Sequence, residues 1–222
     1  MSLILNIDTS MELAFVALAM NESVIAFSEN SIQKDHAGFL HPAIKIIMEN
    51  SGKQLCDLDA VAVTAGPGSY TGIRVGMATA KGLCFALSKP LITINTLELL
   101  AADAIYNHKG DGNYLFCPMI DARRMEVYTA LYDKERKEVL SPTALVIEED
   151  FYRKFPTGYD RVLFGSGAAK CKNLHMFNDA IFIENVNIPQ TMAVISAECF
   201  GRNSFTDLIF SEPFYLKEFY NK

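Results

Sequence analysis

Apolar and polar residues along the first half of the chain follow two periods, which predict strands and helices in a set order. The first three apolar runs are short and separated by turn residues, as is typical of antiparallel strands. Apolar residues then recur at helical spacing from Phe39, so Pro42 must lie in the first turn or at a kink. The predicted strands are Leu3–Ile7, Leu13–Ala19, Ser23–Phe27, Ala60–Thr64 and Leu91–Ile94, and the predicted helices are Phe39–Asn50, Gly72–Ser88 and Thr96–Asn107.

The second half repeats this order, which indicates a duplicated α/β architecture. Met125-Glu126-Val127 follows Ile120-Asp121 much as Met11-Glu12-Leu13 follows Ile7-Asp8, although two strand pairs can also resemble each other by chance. The predicted boundary lies at Asn107–Asn113 and gives domains 1–107 and 108–222, a division that allows the last helix to pack back on the first domain. The predicted strands are Tyr114–Ile120, Glu126–Tyr132, Glu138–Ile147, Arg161–Phe164 and Ile181–Ile183, and the predicted helices are Glu148–Phe155, Ala168–Phe177 and Thr191–Asn203.

Composition indicates a globular protein that does not bind nucleic acid by itself. Half of the 222 residues are apolar, which is enough for a sizeable core and excludes disordered and fibrous classes. The formal net charge is −6, whereas affinity for a polyanion comes mainly from Lys and Arg. Any contact with RNA is therefore expected to be shared with a more basic partner.

The cysteines and the apolar runs indicate a reduced, cytoplasmic protein with no membrane association. The five cysteines are dispersed and form no CxxC pair, so we expect small buried apolar side chains and neither disulfides nor a metal clamp. Met1–Ser10 lacks the basic region of a signal peptide. The apolar runs are also shorter than the roughly 18 residues of a membrane span.

The segment from Val61 to Arg74 reads as a strand, a glycine loop and a helix, and it has two interpretations. The loop can hold an anion with its backbone N–H groups, or its glycines can let the backbone pass close to a neighbouring segment. Dinucleotide binding is disfavoured, since the spacing is G-x-G-x-x-x-G and the next strand ends in Asn95 instead of an acidic residue. A Walker lysine is also missing.

The helix predicted at Gly72–Ser88 carries two rows of small residues, each spaced by four. Residues at this spacing lie above one another, so two faces of the helix permit close approach by another element. Either both rows pack within the domain, or one face is left for another protein. The rows are Gly72, Gly76 and Ala80, and Ala78, Gly82 and Ala86.

Few side-chain constellations point to catalysis or to a metal. His36 and His41 are five residues apart, so on a helix they point about 140° away from each other and do not form a metal-binding pair. Asp8 and Asp121 each end the first strand of a half, and a pair of carboxylates can hold a hydrated divalent ion and nucleotide phosphates. The turns that follow them contain no glycine, which argues against a phosphate cradle.

Four segments carry a family resemblance over essentially the whole chain. They are Ile7–Ser10, Thr64–Arg74, Asp121–Arg123 and Pro213–Lys217. These segments resemble the TsaB (YeaZ) family, with Lys217 where that family usually has arginine. The resemblance implies a duplicated actin-like, Hsp70-like (ribonuclease H-like) fold with two β-β-β-α-β-α-β-α halves. It also implies a subunit of the bacterial complex that synthesises tRNA threonylcarbamoyladenosine.

The resemblance further implies that this subunit is a scaffold and not an enzyme, with no cofactor and no metal. The catalytic paralogue, TsaD, carries an H-x-x-x-H metal pair after the equivalent helix. Thr96 and Leu100 stand at those positions here, and neither makes a serviceable metal ligand. The older description of the family as a peptidase fails for the same reason.

The implied partners are TsaD, the ATPase TsaE and, through the complex, tRNA, with a homodimer expected when the chain is alone. The resemblance implies that helices Phe39–Asn50 and Gly72–Ser88 pack against TsaD and help form the binding site of TsaE. Without that partner the same surface is expected to self-associate, because an exposed apolar helix face tends to be buried. The candidate interface residues are Phe39, Ala43, Ile47, Gly72, Arg74, Gly76, Ala80 and Gly82.

Two other functions stay open at this stage: an ATP-using kinase of the same fold and a stand-alone homodimeric structural protein. Met11 and Arg123 argue against the kinase, because they stand in the two hairpins that would bind phosphate and would need glycines there. The candidate nucleotide or anion contacts are Asp8, Thr9, Ser10, Gly66, Gly68, Ser69, Asp121 and Arg123.

Overall fold

The structure, a computed structural model, contains two units that each hold one five-stranded sheet. The first unit comprises Met1–Thr96 and Asn187–Phe214, and the second comprises Leu97–Val186 and Tyr215–Lys222. The residues that the structure describes are 1–32, 35–148, 151, 153–184 and 187–217.

The first unit is a mixed sheet covered by three helices. Its elements are β1 (Leu3–Asp8), β2 (Ala14–Met20), β3 (Ser23–Asn30), α1 (His36–Ser51), β4 (Ala60–Gly66), α2 (Tyr70–Leu87), β5 (Leu91–Asn95) and, from the far end of the chain, α4 (Ile188–Gly201). The strand order is β3-β2-β1-β4-β5, with an antiparallel hairpin series joined to parallel strands. Both β1 and β4 are buried along their whole length, as expected of strands covered on both faces.

Helices α1 and α2 bury one face of this sheet and α4 covers the other. Leu5 and Ile7 of β1 belong to a core cluster that also contains Leu40 of α1 and Met77 of α2. Successive side chains of a strand alternate between its faces, so Ile4 points away from that cluster. Helix α4 contacts β1, β2, β3 and β5.

The second unit repeats the strand order of the first. Its elements are α3 (Thr96–Asn107), β6 (Tyr114–Asp121), β7 (Glu126–Tyr132), β8 (Glu138–Val146), β9 (Asp160–Phe164) and β10 (Ile181–Phe182). The order β8-β7-β6-β9-β10 matches β3-β2-β1-β4-β5, and β9 is parallel to β6 as β4 is to β1. This correspondence confirms the predicted duplicated α/β fold.

One predicted helix differs from the structure, one lies partly outside the described residues, and one begins earlier than predicted. The predicted helix Ala168–Phe177 is replaced by two short 3-10 turns, Ala168–Cys171 and His175–Phe177. The predicted helix Glu148–Phe155 falls partly on residues outside the described ones. Helix α1 begins at His36, so Pro42 lies inside the helix beyond its first turn.

The units also differ from the predicted domains 1–107 and 108–222. Helix α3 belongs to the second unit except for its first residue, and residues 187–214 belong to the first. The reason is packing: α4 buries its apolar side chains on the first sheet, as the prediction allowed for the last helix, whereas the grouping of α3 with the second unit was not anticipated.

Three of the five cysteines are buried, as predicted for all of them. Cys84, Cys117 and Cys171 are buried, whereas Cys56 is exposed and Cys199 is intermediate. Burial raises the pKa of the Cys117 thiol to about 12 and that of the Cys171 thiol to about 11. Because only the thiolate is a good nucleophile, these two buried cysteines are structural.

Helix α2 approaches the β1–β2 turn closely because two of its residues lack a side chain. A Cβ at Gly72 would overlap the Thr9 carbonyl oxygen, and a Cβ at Gly76 would overlap the Thr9 hydroxyl. The Thr9 hydroxyl donates a hydrogen bond of 2.7 Å to the Gly72 carbonyl. The glycines that face the sheet thus have a packing reason.

We predict opposite stability changes for alanine at Gly72 and at Gly82. Gly72→Ala should lower the free energy of unfolding by about 1–3 kcal/mol, because the methyl group displaces backbone. Gly82→Ala should raise it by about 0.5–1 kcal/mol, because the described residues leave open space there and alanine favours a helix. Urea denaturation measures both values, and equal effects would contradict this account of the inner face.

Candidate functional site

Asp8 joins the β1–β2 turn to the strand that carries the glycine loop. It ends β1 and is fully buried. Its Oδ1 accepts hydrogen bonds from the Ser10 backbone N–H (2.8 Å), the Ser10 hydroxyl (2.6 Å) and the Thr64 hydroxyl (2.7 Å). Because Thr64 lies on the neighbouring strand β4, the carboxyl fixes the two segments relative to each other.

The environment of Asp8 disfavours its charge. Burial raises the pKa of this carboxyl, and the hydrogen bonds from Ser10 and Thr64, together with the charge of His36, only partly oppose that effect. Its second oxygen, Oδ2, is buried and has no hydrogen-bond partner among the residues that the structure describes. Asp8 is therefore a structural carboxyl that destabilises the fold when ionised.

The glycine loop packs its backbone directly on the β1–β2 turn. The Ser69 N–H donates to the Ser10 carbonyl (2.7 Å), and the Ser69 hydroxyl caps α2 by accepting from the Gly72 N–H (3.3 Å). A Cβ at Gly68 would overlap the Ser10 carbonyl oxygen. A Cβ at Gly66, whose φ is +109°, would overlap the Phe214 carbonyl oxygen.

This packing supports the second interpretation of the loop, in which its glycines let the backbone pass close to a neighbouring segment. The Cβ positions of Gly66, Gly68 and Gly72 point at the carbonyl oxygens of Phe214, Ser10 and Thr9. Carbonyl oxygens are the negative ends of their dipoles and repel an anion, whereas a phosphate cradle needs N–H groups. An anion contact at Gly66, Gly68 and Ser69 stays a prediction without geometric support.

The equivalent carboxyl of the second unit, Asp121, has a different partner. Its Oδ1 accepts from the Arg123 backbone N–H (2.6 Å), the same two-residue turn that Ser10 makes with Asp8. The Lys170 ammonium donates to this Oδ1 (2.7 Å) and to the Glu126 carbonyl (2.8 Å). Slight burial tends to raise the pKa of Asp121, but the bonds from Lys170 and Arg123 outweigh it and lower the pKa.

The predicted anion and ion contacts thus divide between the units. Asp8, Thr9 and Ser10 lie together with the glycine loop in the first unit, and Asp121 and Arg123 lie in the second. Arg123 is exposed, with a φ of +70°. Sequence reasoning missed Lys170, because it lies 49 residues along the chain from its carboxylate partner and no local pattern links the two.

The structure corrects part of the predicted interface. Five of the eight residues point into the core of the first unit and do not present side chains to a partner: Ala43, Ile47, Gly72, Gly76 and Ala80. Phe39 is half-buried, while Arg74 and Gly82 are exposed. Spacing by four identifies residues on one face of a helix, but does not tell which face meets the sheet.

The two rows of small residues on α2 separate into an inner and an outer row. Gly72, Gly76 and Ala80 are buried, whereas Ala78, Gly82 and Ala86 are exposed. Among the described residues, no heavy atom lies within 4 Å of a Cβ built at Gly82. We call Ala78, Gly82 and Ala86 the outer row of α2.

A groove between α1 and α2 borders the outer row. It has a volume of about 260 Å³. His41 and Lys45 of α1 and Leu83 of α2 line it, together with Leu55 of a 3-10 turn. The exposed surface of the first unit therefore continues from α1 across the groove to α2.

The histidines do not meet at one site. His36 is buried and its Nε2 lies 3.1 Å from the Glu12 carbonyl, whereas His41 is exposed. Thr96 and Leu100, one helical turn apart on α3, are both buried. Within the described ranges, His, Cys, Asp and Glu form no group of three or more arranged to hold a metal ion. The helices described there also include none with the length and apolarity to cross a membrane.

The fold and the duplicated Asp turns define a class, the actin-like α/β proteins. A solved activator of 2-hydroxyisocaproyl-CoA dehydratase from Clostridium difficile shares the fold alone, with a TM-score of 0.50 and 10% identity over 91% of this chain and 96% of that one. The family model described as TsaD, tRNA N6-adenosine threonylcarbamoyltransferase, matches residues 27–190. That match covers more than half of the chain and shows membership of this wider family.

Within that class, the chain belongs to the TsaB (YeaZ) family. The tRNA threonylcarbamoyladenosine biosynthesis protein TsaB of Bacillus subtilis (strain 168) is 39% identical over 129 residues, which are 58% of this chain and 54% of that protein. The chain spans about half the length of the curated relatives it matches. The structure of YeaZ from Pseudomonas aeruginosa superimposes with a TM-score of 0.80 at 25% identity, covering 97% of this chain and 100% of that one.

We predict that asparagine at Asp8 and at Asp121 changes stability in opposite directions. At pH 7, Asp8→Asn should raise the melting temperature, because it removes a buried charge and keeps an acceptor for Ser10 and Thr64. The pKa of Asp8 is higher in the folded than in the unfolded state, so its ionisation destabilises the fold at any pH above the unfolded-state pKa. The gain in melting temperature from Asp8→Asn should therefore shrink as the pH falls below the folded-state pKa of Asp8.

Asp121→Asn should lower the melting temperature at pH 7. The pKa of Asp121 is lower in the folded than in the unfolded state. Its ionised carboxylate therefore stabilises the fold at pH values above the unfolded-state pKa, and this stabilisation is lost as the pH falls through the folded-state pKa. Thermal unfolding from pH 3 to 8 tests both variants. Loss of stability in both at pH 7 would refute the account of Asp8.

Proposed function

We propose that this chain is an accessory subunit of the assembly that makes tRNA N6-threonylcarbamoyladenosine, and that it binds the catalytic TsaD-type paralogue. Its similarity to tRNA threonylcarbamoyladenosine biosynthesis proteins supports a role in that pathway. The observation that carries the binding role is the outer row of α2, which is exposed along the second half of this helix. A row of small residues lets the backbone of another helix come close.

The surface around the outer row supports helix-on-helix docking. A helix laid along Ala78, Gly82 and Ala86 would have the groove of His41 and Leu83 on one side. The inner row packs on the sheet, but packing among the described residues of its own unit does not explain why the outer row consists of small residues. A partner helix would explain it, and in the absence of that partner the same surface favours a homodimer.

A scaffold role fits the chemistry at the positions of the paralogue's histidines better than catalysis does. Thr96 and Leu100 offer a hydroxyl and a hydrocarbon, and both are buried. The acidic charge of −6 favours indirect contact with tRNA through the assembly. In this proposal the chain holds the paralogue in its active conformation and forms part of the binding site for the ATPase TsaE.

We predict that Gly82→Leu weakens binding of the TsaD-type paralogue by about tenfold or more, because the side chain fills the space that a partner helix would occupy. Gly201→Leu is the matched control, since the described residues also leave open space at this helical glycine. Isothermal titration calorimetry with the purified paralogue measures both affinities. Equal affinities for the two variants would count against docking on α2.

We also predict that the purified chain alone does not transfer the threonylcarbamoyl group to tRNA. In the reconstituted assembly, wild-type chain and Gly201→Leu should support tRNA modification. Gly82→Leu should support less modification when the concentration of this subunit is limiting. Incorporation of labelled threonine into tRNA provides the measurement. Transfer by the chain without other subunits would overturn the scaffold proposal.

A further inference from the structure

Strand β5 lies at one edge of the first sheet, beside β4. Its five residues, Leu91–Asn95, read LITIN and combine apolar and β-branched side chains with no charge. The backbone of an edge strand presents N–H and C=O groups on its outer side, and an uncharged segment of high β-propensity pairs readily there with a strand of another molecule. Without protection, β5 would therefore be a site of unwanted association.

Thr206, which follows α4, binds the outer side of β5 in place of a further strand. Its backbone N–H donates to the Leu91 carbonyl (2.8 Å) in an isolated antiparallel bridge. Its hydroxyl accepts from the Thr93 N–H (3.2 Å) and lies 2.8 Å from the Thr93 hydroxyl. A single residue thus occupies two backbone groups that an added strand would need.

We call residues 206–214 the edge guard, and its middle is fastened to α2 by a lysine. The Lys81 ammonium donates to the Ser211 carbonyl (2.8 Å) and to the Ile209 carbonyl (3.3 Å). Most residues of the edge guard are exposed, although Leu208 packs on the core cluster. A short exposed segment that is held by few contacts opens locally at a lower free energy than the whole fold. These polar contacts therefore determine how often the edge guard opens.

The far end of the edge guard is fixed to β4. The Phe214 N–H donates to the Ala65 carbonyl (2.7 Å). Ala65 lies where the register of β4 with β5 shifts, between Thr64 and Gly66, and such a bulge leaves one residue out of the ladder. The edge guard thus has contacts with β5, α2 and β4, all within the first unit.

The opposite edge strand of the same sheet, β3, is also capped by a side chain. Gln190 Oε1 accepts from the Val24 N–H (3.3 Å), and Gln190 Nε2 donates to the Glu22 carbonyl (2.5 Å). Gln190 lies in the first turn of α4, so both caps belong to residues 187–214, which return to the first unit from the second. This returning segment therefore protects both edges of the sheet in addition to covering one face.

We propose that the edge guard is an autoinhibitory contact that keeps β5 from pairing with β5 of a second copy of the chain. Two identical edges related by a two-fold axis can pair antiparallel, which would join two five-stranded sheets into one of ten strands. Edge pairing uses backbone groups, every copy presents the same edge, and β5 carries no charge that would repel its equivalent. This inference does not depend on the proposed function.

The double variant Thr206→Val, Lys81→Met should open the edge guard, because it removes the hydroxyl that accepts from Thr93 and the ammonium that holds residues 209–211. Hydrogen–deuterium exchange of the Thr93 amide, followed by NMR, should become about fivefold faster or more. The self-association constant of the purified chain, measured by analytical ultracentrifugation, should rise about tenfold or more. Thr206→Val alone should change both quantities less and in the same direction, which keeps a test available if the double variant does not fold.

Two control variants isolate the contacts of the edge guard. Thr206→Ser keeps the hydroxyl and should match wild-type chain in both measurements. Thr71→Val, Lys89→Met makes the same chemical changes at an exposed threonine of α2 and at a lysine just after that helix, away from the β5 edge. It should also match wild-type chain.

Adding Gly82→Leu separates association at the β5 edge from association through the outer row of α2. If the added self-association of the double variant persists with Gly82→Leu, the surface is the β5 edge and the proposal is supported. If Gly82→Leu abolishes it, the surface is α2 and the proposal is overturned. Faster exchange at Thr93 without stronger self-association would overturn it as well, and so would variants that match wild-type chain in both measurements.

Discussion

The close contact between the glycine loop and the β1–β2 turn is the constraint on which the first unit depends. Gly68 and Gly72 let the loop and the start of α2 reach the carbonyls of Ser10 and Thr9, where a Cβ would overlap. Asp8 holds the same turn to β4 through Thr64. Helix α2 is thereby placed with its glycine face on the sheet, and its opposite face is left exposed.

The two halves share one hydrogen-bonded aspartate turn but differ in the side chains that surround it. In each half, an aspartate at the end of the first strand accepts from the N–H two residues on. The first carboxyl is buried among hydroxyls, so its charge is costly; the second is more exposed and paired with Lys170, so its charge is stabilised. Conserved geometry in a duplicated fold therefore does not imply conserved electrostatics.

The sequence predicted the order of strands and the duplicated fold, because periodicity reports directly which residues are buried together. It allowed the last helix to pack back on the first domain but did not predict that α3 belongs to the second unit, since packing between distant segments leaves no local pattern. For the same reason it missed the Lys170–Asp121 pair. The assignment of Gly76 and Ala80 to an interface came from the family resemblance, since spacing shows that residues share a helix face without showing which face is outward.

A glycine-rich loop after a buried strand is compatible with two opposite environments. A phosphate requires the loop to point N–H groups at an open space, whereas here Gly66, Gly68 and Gly72 stand against carbonyl oxygens. Both cases need residues without a Cβ, so the sequence motif alone does not distinguish them. What distinguishes them is the segment opposite the loop. In this chain the β1–β2 turn and the Phe214 backbone occupy that place, so the loop packs closely on them and positions the start of α2.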